Sequence, residues 1–410
     1  MGAIVAEELE ITGNTPMVRV YLDYNATTPI RPEVRDAILP FLGDLFGNPS
    51  SRYLEGRQVK AKVEEARAQV AAAIGTEPER IVFNSGATEG NVTVLRGYHL
   101  NYKEKRQRNH IIVSAVEHPS IYNTVKKMAL EGYEVTFVPV DSRGNLDLEF
   151  LRSAIKETTG LISVMTVNNE TGIIYPVKEV SQIAREKGVL FHTDAVQAVG
   201  KMPFDVKEIG ADFVTMSGHK IYAPKGIGAL YVKKGIRLEP LLTGGHQEND
   251  RRAGTENVPG IIAMGTALAL AVREMEDDRK RIGAIRDAFE QQVLATIPYT
   301  CSHGAENRIY TTSNISFQFV EGEAVQLKLD YHGIAVSTGS ACSSGTLDPS
   351  HVIMALCNGN EEEAHSSVRF SFGKYSRMED VPFIVEKLSE VVSQLRSFSP
   401  LYDAFTTSQR

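Results

Sequence analysis

Phe213-Val214-Thr215-Met216-Ser217-Gly218-His219-Lys220 decides the fold. Its first five residues form a short, largely apolar run without alternation, as a strand buried on both faces requires. A lysine follows at the carboxyl end, where an open α/β sheet binds its ligands. Lysine forms Schiff bases when burial or cationic neighbours lower its pKa. Taken alone, such a lysine is more often a solvated surface group.

Working outward, similar runs occur at residues 80–83, 110–115, 135–138, 161–167, 189–193 and 228–232. Helical patterns lie between them, including 58–73, ending at Gly75, and 177–187, closed by Gly188; both glycines suit a C-cap. This alternation predicts an α/β fold with a mostly parallel seven-stranded sheet flanked by helices. From about Pro259 the character changes. A long helix over 261–287 and beyond leads to a strand (312–319), a helix (323–331), a Gly/Ser-rich loop (337–345), a strand (367–372) and a final helix (378–398). The expected organisation is an N-terminal extension (1–20), a large domain (21–260), and a connector helix with a smaller α+β domain (261–410).

The 410 residues are 42% apolar and 23% charged, the composition of an ordinary soluble globular protein. A net charge of −7 argues against a nucleic-acid or anionic-membrane binder, which needs a basic face. Three cysteines, Cys301, Cys342 and Cys357, form no Cys-x-x-Cys pair, so a reducing compartment is expected and no metal site is read. No stretch reads as the ~18 apolar residues of a membrane span. The N-terminus is acidic and has neither a secretory signal nor a transit-peptide character. Gly2 invites a myristoylation reading, but Ala6 stands where Ser or Thr is expected.

Other residues share the strand-end placement of Lys220. Asp194 ends an upstream apolar run and could hold a pyridinium nitrogen protonated, or simply cap a helix. Gln197 lies three residues on. Ser85-Gly86-Ala87-Thr88-Glu89-Gly90 brings small residues to a strand-to-helix turn, where backbone N–H groups can meet an anion. It lacks the GK[ST] ending of a nucleotide-binding P-loop. His118, in Glu117-His118-Pro119, can stack on a flat ring and move protons near neutral pH. Cys342 sits in Ser340-Ala341-Cys342-Ser343-Ser344-Gly345, small residues that pack poorly and suggest a mobile loop. Cys301 and Cys357 have no such setting and are assigned no role.

Together these motifs resemble the cysteine desulfurases among the class-V aminotransferases, which are fold-type I pyridoxal 5'-phosphate enzymes. The resemblance runs from about Tyr21 to Phe398. It includes YLDYNATTP at 21–29, NPSS at 48–51, SGATE at 85–89, EHPS at 117–120, VNNETG at 167–172, HTDAVQ at 192–197, SGHK at 217–220, RAGTEN at 252–257, GSACSSG at 339–345 and VRFSFG at 368–373.

The resemblance implies that Lys220 carries the cofactor. Asp194 would meet its ring nitrogen, Gln197 its 3'-oxygen, and His118 would stack on the ring and act as acid and base. Thr88, with the backbone of Ala87, Ser217 and His219, would hold the phosphate. Thr255 would reach the phosphate of the partner subunit's cofactor in a homodimer. Asn169 and Arg369 would receive the substrate carboxylate, a task suited to a guanidinium fork. Cys342 would attack the sulfur of L-cysteine, leaving L-alanine and a persulfide. That persulfide would pass to sulfur-acceptor proteins, an iron–sulfur scaffold (with cluster ligation through Cys342) or a tRNA-thiolation protein, in the cytoplasm, with no direct nucleic-acid or membrane contact. A selenocysteine lyase, a class-V aminotransferase and an inactive scaffold subunit stay open as rivals. Three features depart from the pattern: Gly90-Asn91-Val92 in place of a doubled asparagine, an Asn249-Asp250-Arg251 stretch more acidic than the pattern, and residues 1–17 without a counterpart.

Overall fold

The computed structural model describes residues 19–102, 108–304, 306–339 and 349–409. Cys342 lies outside the described residues. The chain forms two compact units. Thr27–Arg279 with Gly304–Ile309 make the larger; Lys280–His303, Tyr310–Arg410 and the N-terminal stretch through Ala26 make the smaller.

Strand β1 (Val20–Tyr21) belongs to the smaller unit. The larger unit holds β2 (Ile81–Asn84), β3 (His110–Ser114), β4 (Glu134–Val138), β5 (Thr159–Ser163), β6 (Leu190–Asp194), β7 (Phe213–Ser217) and β8 (Gly228–Val232). They form one sheet in the order β2-β8-β7-β6-β5-β3-β4. Every pair is parallel except those of β8, which runs antiparallel to both β2 and β7. All seven expected strands are present. Strand β5 ends at Ser163, although the Val164 and Thr166 N–H groups still donate to the His192 and Asp194 carbonyls of β6 at 3.2 and 2.9 Å, and Asn168 then folds the following residues into a turn. Its Oδ1 accepts from the N–H groups of Glu170 and Thr171 at 2.9 Å.

Most of these strands are buried on both faces, and β3, β5, β7 and β8 are buried at every residue. One face packs a core that includes Val94, Leu95, Tyr98, Ile111, Val113 and Phe213. Gly75 and Gly188 follow helices Leu54–Ala73 and Val177–Glu186 at φ +71° and +64°, the left-handed conformation that glycine adopts without a Cβ penalty.

The 39-residue helix Val258–Thr296 is long and apolar enough by composition to cross a membrane, which the hydropathy reading of the sequence did not anticipate. Half of its most apolar window is buried, including Ile261, Met264 and Leu268, as in the core helix of a globular domain. Its later part places Ile282, Ile285, Phe289 and Val293 in the core of the smaller unit.

In the smaller unit β9 (Thr300–His303), β10 (Thr312–Phe317) and β12 (Ser367–Ser371) form an antiparallel sheet in the order β12-β10-β9. β11 (Ile334–Ala335) pairs with β1 in parallel. Helices Gly322–Tyr331 and Val381–Arg396 supply Val325, Leu329, Ile384 and Leu388 to the same core. The sequence reading missed β9. It is a short polar edge strand, Thr-Cys-Ser-His, with no apolar alternation to reveal it.

A buried ion pair braces the larger unit. Arg67 donates to both carboxylate oxygens of Glu248, at 2.7 and 2.8 Å, and Glu248 also accepts from the Phe83 N–H at 2.9 Å. Glu248, Asn249 and Asp250 all have positive φ (49°, 55° and 64°). Asn and Asp tolerate this left-handed conformation better than other side chains. The acidic Asn249-Asp250 departure therefore has a backbone cause. Removing one partner of such a pair leaves a buried charge uncompensated. Glu248→Ala is expected to lower unfolding stability by about 3–5 kcal/mol in a urea titration; a loss under about 1 kcal/mol would contradict this bracing role.

Candidate active site

The parallel strands deliver their carboxyl ends to one edge of the larger unit's sheet. β3 is followed by β4 on one side and by β5 on the other, so the chain reverses its direction of winding at β3/β5. Ligands of such sheets bind in the crevice at this switch point. His118 follows β3, Asn169 follows β5, Asp194 ends β6, and Lys220 follows β7 in a short 3₁₀ turn. The Ser85–Thr88 turn follows β2 at the same edge. The loops flanking the switch point are tied together: Asn168 Nδ2 donates to the Val116 carbonyl at 3.0 Å.

Asp194 is 5% exposed. Its Oδ2 accepts from Asn91 Nδ2 at 2.7 Å and its Oδ1 from the Val196 N–H at 3.0 Å. The second bond is the local turn the sequence allowed for; the first is not local. Asn91 Nδ2 also donates to Ser120 Oγ at 2.9 Å. Ser120 in turn lies against His118: its N–H donates to Nδ1 at 3.1 Å, and its Oγ is 2.8 Å from the same nitrogen. A ring nitrogen that accepts a backbone N–H bears a lone pair. The imidazole proton of the neutral ring therefore sits on Nε2. Burial holds the His118 pKa below its usual value; the Asp194 charge opposes this and the Lys220 ammonium adds to it. His118 thus feels both of the other groups.

Segment Thr27–Thr28 fixes the lysine turn. The Thr28 N–H and hydroxyl both donate to the His219 carbonyl, at 3.0 and 3.1 Å, and the Thr28 hydroxyl accepts from the Tyr222 N–H at 2.8 Å. Tyr222 has φ +69°, a strained turn held by these bonds. Burial pushes the His219 pKa down to about 4, and Lys220, Lys225 and Lys201 push it the same way. Gln197 Oε1 accepts from Lys201 Nζ at 2.5 Å, so the amide would meet a ligand oxygen with its N–H donors.

Thr88 is exposed and Ala87 half-buried in the first turn of helix Ala87–Gly97, which no side chain caps. A Cβ built on Gly86 would meet nothing within 4 Å. Glu89 Oε2 accepts from the Ser85 N–H at 2.8 Å, and its Oε1 pairs with Arg252 at 2.9 Å. This links the turn to the segment carrying Thr255, which is exposed.

Arg369 lies in the smaller unit on β12, is 1% exposed, and donates to Asp23 Oδ1 at 2.7 Å. The structure therefore sets His118 within electrostatic reach of Asp194 and Lys220 and places Arg369 in the other unit.

The class-V aminotransferase family model matches residues 20–383. A cysteine desulfurase of Nostoc sp. is 46% identical over 382 residues, covering 93% of this chain and 94% of its own. Among solved structures, a NifS-like protein superposes with a TM-score of 0.86 at 34% identity, covering 92% of this chain and all of its own. The SspA protein in complex with cysteine superposes with a TM-score of 0.76 at 31% identity, covering 88% and 100%.

The chain belongs to the class-V aminotransferase family.

Members of the class-V aminotransferases depend on pyridoxal phosphate, and the residues present fit that group. A helix N-terminus without a side-chain cap faces open space at Gly86, and three lysines charge the surroundings of His219, which suits a phosphate dianion. A buried carboxylate with fixed donors suits a ring nitrogen. The sequence reading of this class-V aminotransferase missed Asn91 and Ser120. Both stand in or beside quoted motifs, but nothing local signals that they join Asp194 to His118. Of Gly90-Asn91-Val92, the residue that reaches Asp194 is the asparagine that is retained.

Glu117 is also new. It is fully buried, its Oε1 accepts from Ser114 Oγ at 2.5 Å and from the Met165 N–H at 2.8 Å, and burial pushes its pKa up to about 8 from 4.5. An acid whose folded pKa is raised stabilises fully below its unfolded pKa, and that stability is lost as pH rises through the folded value. Glu117→Gln is expected to flatten the fall in urea-unfolding free energy between pH 4.5 and about 8; an unchanged slope would argue against a neutral Glu117.

Proposed function

We propose that this chain is a cysteine desulfurase whose site is built on Lys220, Asp194 and His118 and completed by Cys342. The observation that carries the reading is the shared electrostatic neighbourhood of these first three groups at the carboxyl edge of the sheet. The 46% identical cysteine desulfurase supports the choice of reaction.

Lys220 would hold pyridoxal phosphate, with Asp194 at the ring nitrogen, Gln197 at the 3'-oxygen and His118 against the ring. Thr88 and the backbone of Ala87, Ser217 and His219 would bind the phosphate, and Thr255 would serve the partner's cofactor in a homodimer. When bound, the cofactor supplies a ring that accepts the electrons left at Cα by proton loss. The chain's residues do the rest. Asp194, held by Asn91, keeps a fixed negative charge where a protonated ring nitrogen needs it. Lys220 takes the Cα proton. His118 presents an N–H at Nε2 from which a proton can be given and to which it can return. Asn169 and Arg369 orient the carboxylate of cysteine.

Cys342, as thiolate, attacks the substrate sulfur. A sulfur–sulfur bond forms and the Cβ–sulfur bond breaks. Cysteine plus the enzyme thiol becomes alanine plus the enzyme persulfide, with no external oxidant or reductant. A loop of small residues suits a sulfur that must visit two places, the pocket and an acceptor protein. An iron–sulfur scaffold or a tRNA-thiolation protein in the cytoplasm completes the proposal.

Cys342→Ser is expected to keep the visible absorbance of bound cofactor yet lose alanine formation from cysteine by at least a hundredfold; turnover at the wild-type rate would remove Cys342 from the reaction. Borohydride should fix the cofactor's mass to Lys220 in the wild type. The same mass retained in Lys220→Ala would contradict the attachment.

A further inference from the structure

Cys357 and His303 play no part in the reaction described above, yet they converge. One ligating atom each of His303, Cys357 and Glu363 lies within 4.8 Å of the other two. All three belong to the smaller unit. His303 ends strand β9, Cys357 caps the carboxyl end of helix His351–Leu356, and Glu363 lies in helix Glu361–His365. We propose that His303, Cys357 and Glu363 bind a borderline-soft divalent cation, Zn²⁺ by preference, with Cys301 as the candidate fourth ligand.

Four observations carry this. The donor set, an imidazole, a thiolate and a carboxylate, is the one zinc takes, and thiolate disfavours Mg²⁺ and Ca²⁺. The histidine is oriented by a partner behind it. Ser316 Oγ lies 2.6 Å from His303 Nε2 and 3.0 Å from the Glu363 carbonyl. This hydrogen bond holds the imidazole in place from behind, a support that metal-binding histidines share. The charges also suit the ion: one thiolate and one carboxylate neutralise a dication in a half-buried setting. Finally, Cys301 and His303 are two residues apart on one strand and so share a face. Cys301 interacts electrostatically with both Glu363 and Cys357.

A tetrahedral zinc site with bonds of about 2.0–2.3 Å has ligand atoms about 3.5 Å apart. Rotation of the Cys357 and Glu363 side chains supplies the contraction needed. The ion would fasten the polar edge strand β9 to the two short helices that follow residue 349.

The test is a Co²⁺ titration of metal-free holoenzyme without cysteine, followed by displacement with Zn²⁺. The expected result is one equivalent of Co²⁺ with a sulfur-to-cobalt charge-transfer band and tetrahedral d–d absorption, both removed by Zn²⁺. Cys357→Ser should abolish the charge-transfer band or weaken binding at least tenfold. Glu363→Gln, a surface-reaching change that leaves the packing alone, should weaken binding at least tenfold and cancel any rise in thermal midpoint caused by Zn²⁺. Cys342→Ser should leave the band in place, which separates this site from the proposed reaction. Absence of the band in the wild type, an unchanged band with unchanged affinity in Cys357→Ser, or loss of the band in Cys342→Ser would each overturn the proposal.

Discussion

A carboxylate buried at the end of a strand must have its charge compensated, and much of the site follows from how Asp194 meets that demand. Water is excluded, so hydrogen-bond donors must come from the protein. One comes from the next turn of its own chain, at Val196; the other comes from Asn91 on a helix that follows a different strand. Asn91 then binds Ser120, and Ser120 sets the tautomer of His118. The requirement of one buried charge thus orders three further side chains, and the imidazole acquires its proton at Nε2 as a consequence.

The sheet makes that arrangement affordable. Six of its seven strands point the same way, so the residues following β2, β3, β5, β6 and β7 reach one edge without long excursions. The switch of winding between β3 and β5 opens the crevice there, and Asn168 stitches its two flanking loops. Glu117 lies fully buried near this point and takes a proton rather than adding a second negative charge beside Asp194 at neutral pH. The two halves of YLDYNATTP divide their work. Leu22 and Tyr24 hydrogen-bond to Ala335 and Ser371 in the smaller unit, while Thr28 clamps the turn on which Lys220 sits in the larger.

Much of this was legible beforehand, and the exceptions have physical causes. Most of the seven strands announce themselves because burial on both faces demands continuous apolar runs; β4, with only Val138 fully buried, is the exception. Lys220, Asp194 and His118 announce themselves by following such runs. Strand β9 does not, because an edge strand half in solvent can be Thr-Cys-Ser-His. For the same reason Cys301, on that strand, carried no meaning in isolation. The acidic Asn249-Asp250 looked like a departure in surface charge until its left-handed backbone gave the residue types a reason.

The sequence by itself determined which chemical groups stand at strand ends and in what order, because strand periodicity and turn chemistry are local properties of the chain. Only the tertiary structure decided which of those groups touch. Asn91 and Asp194 are 103 residues apart, and their hydrogen bond exists because helix Ala87–Gly97, which follows β2, packs across β8 and β7 and reaches β6. Such contacts depend on pairing and packing summed over the whole larger unit, and no local pattern encodes them.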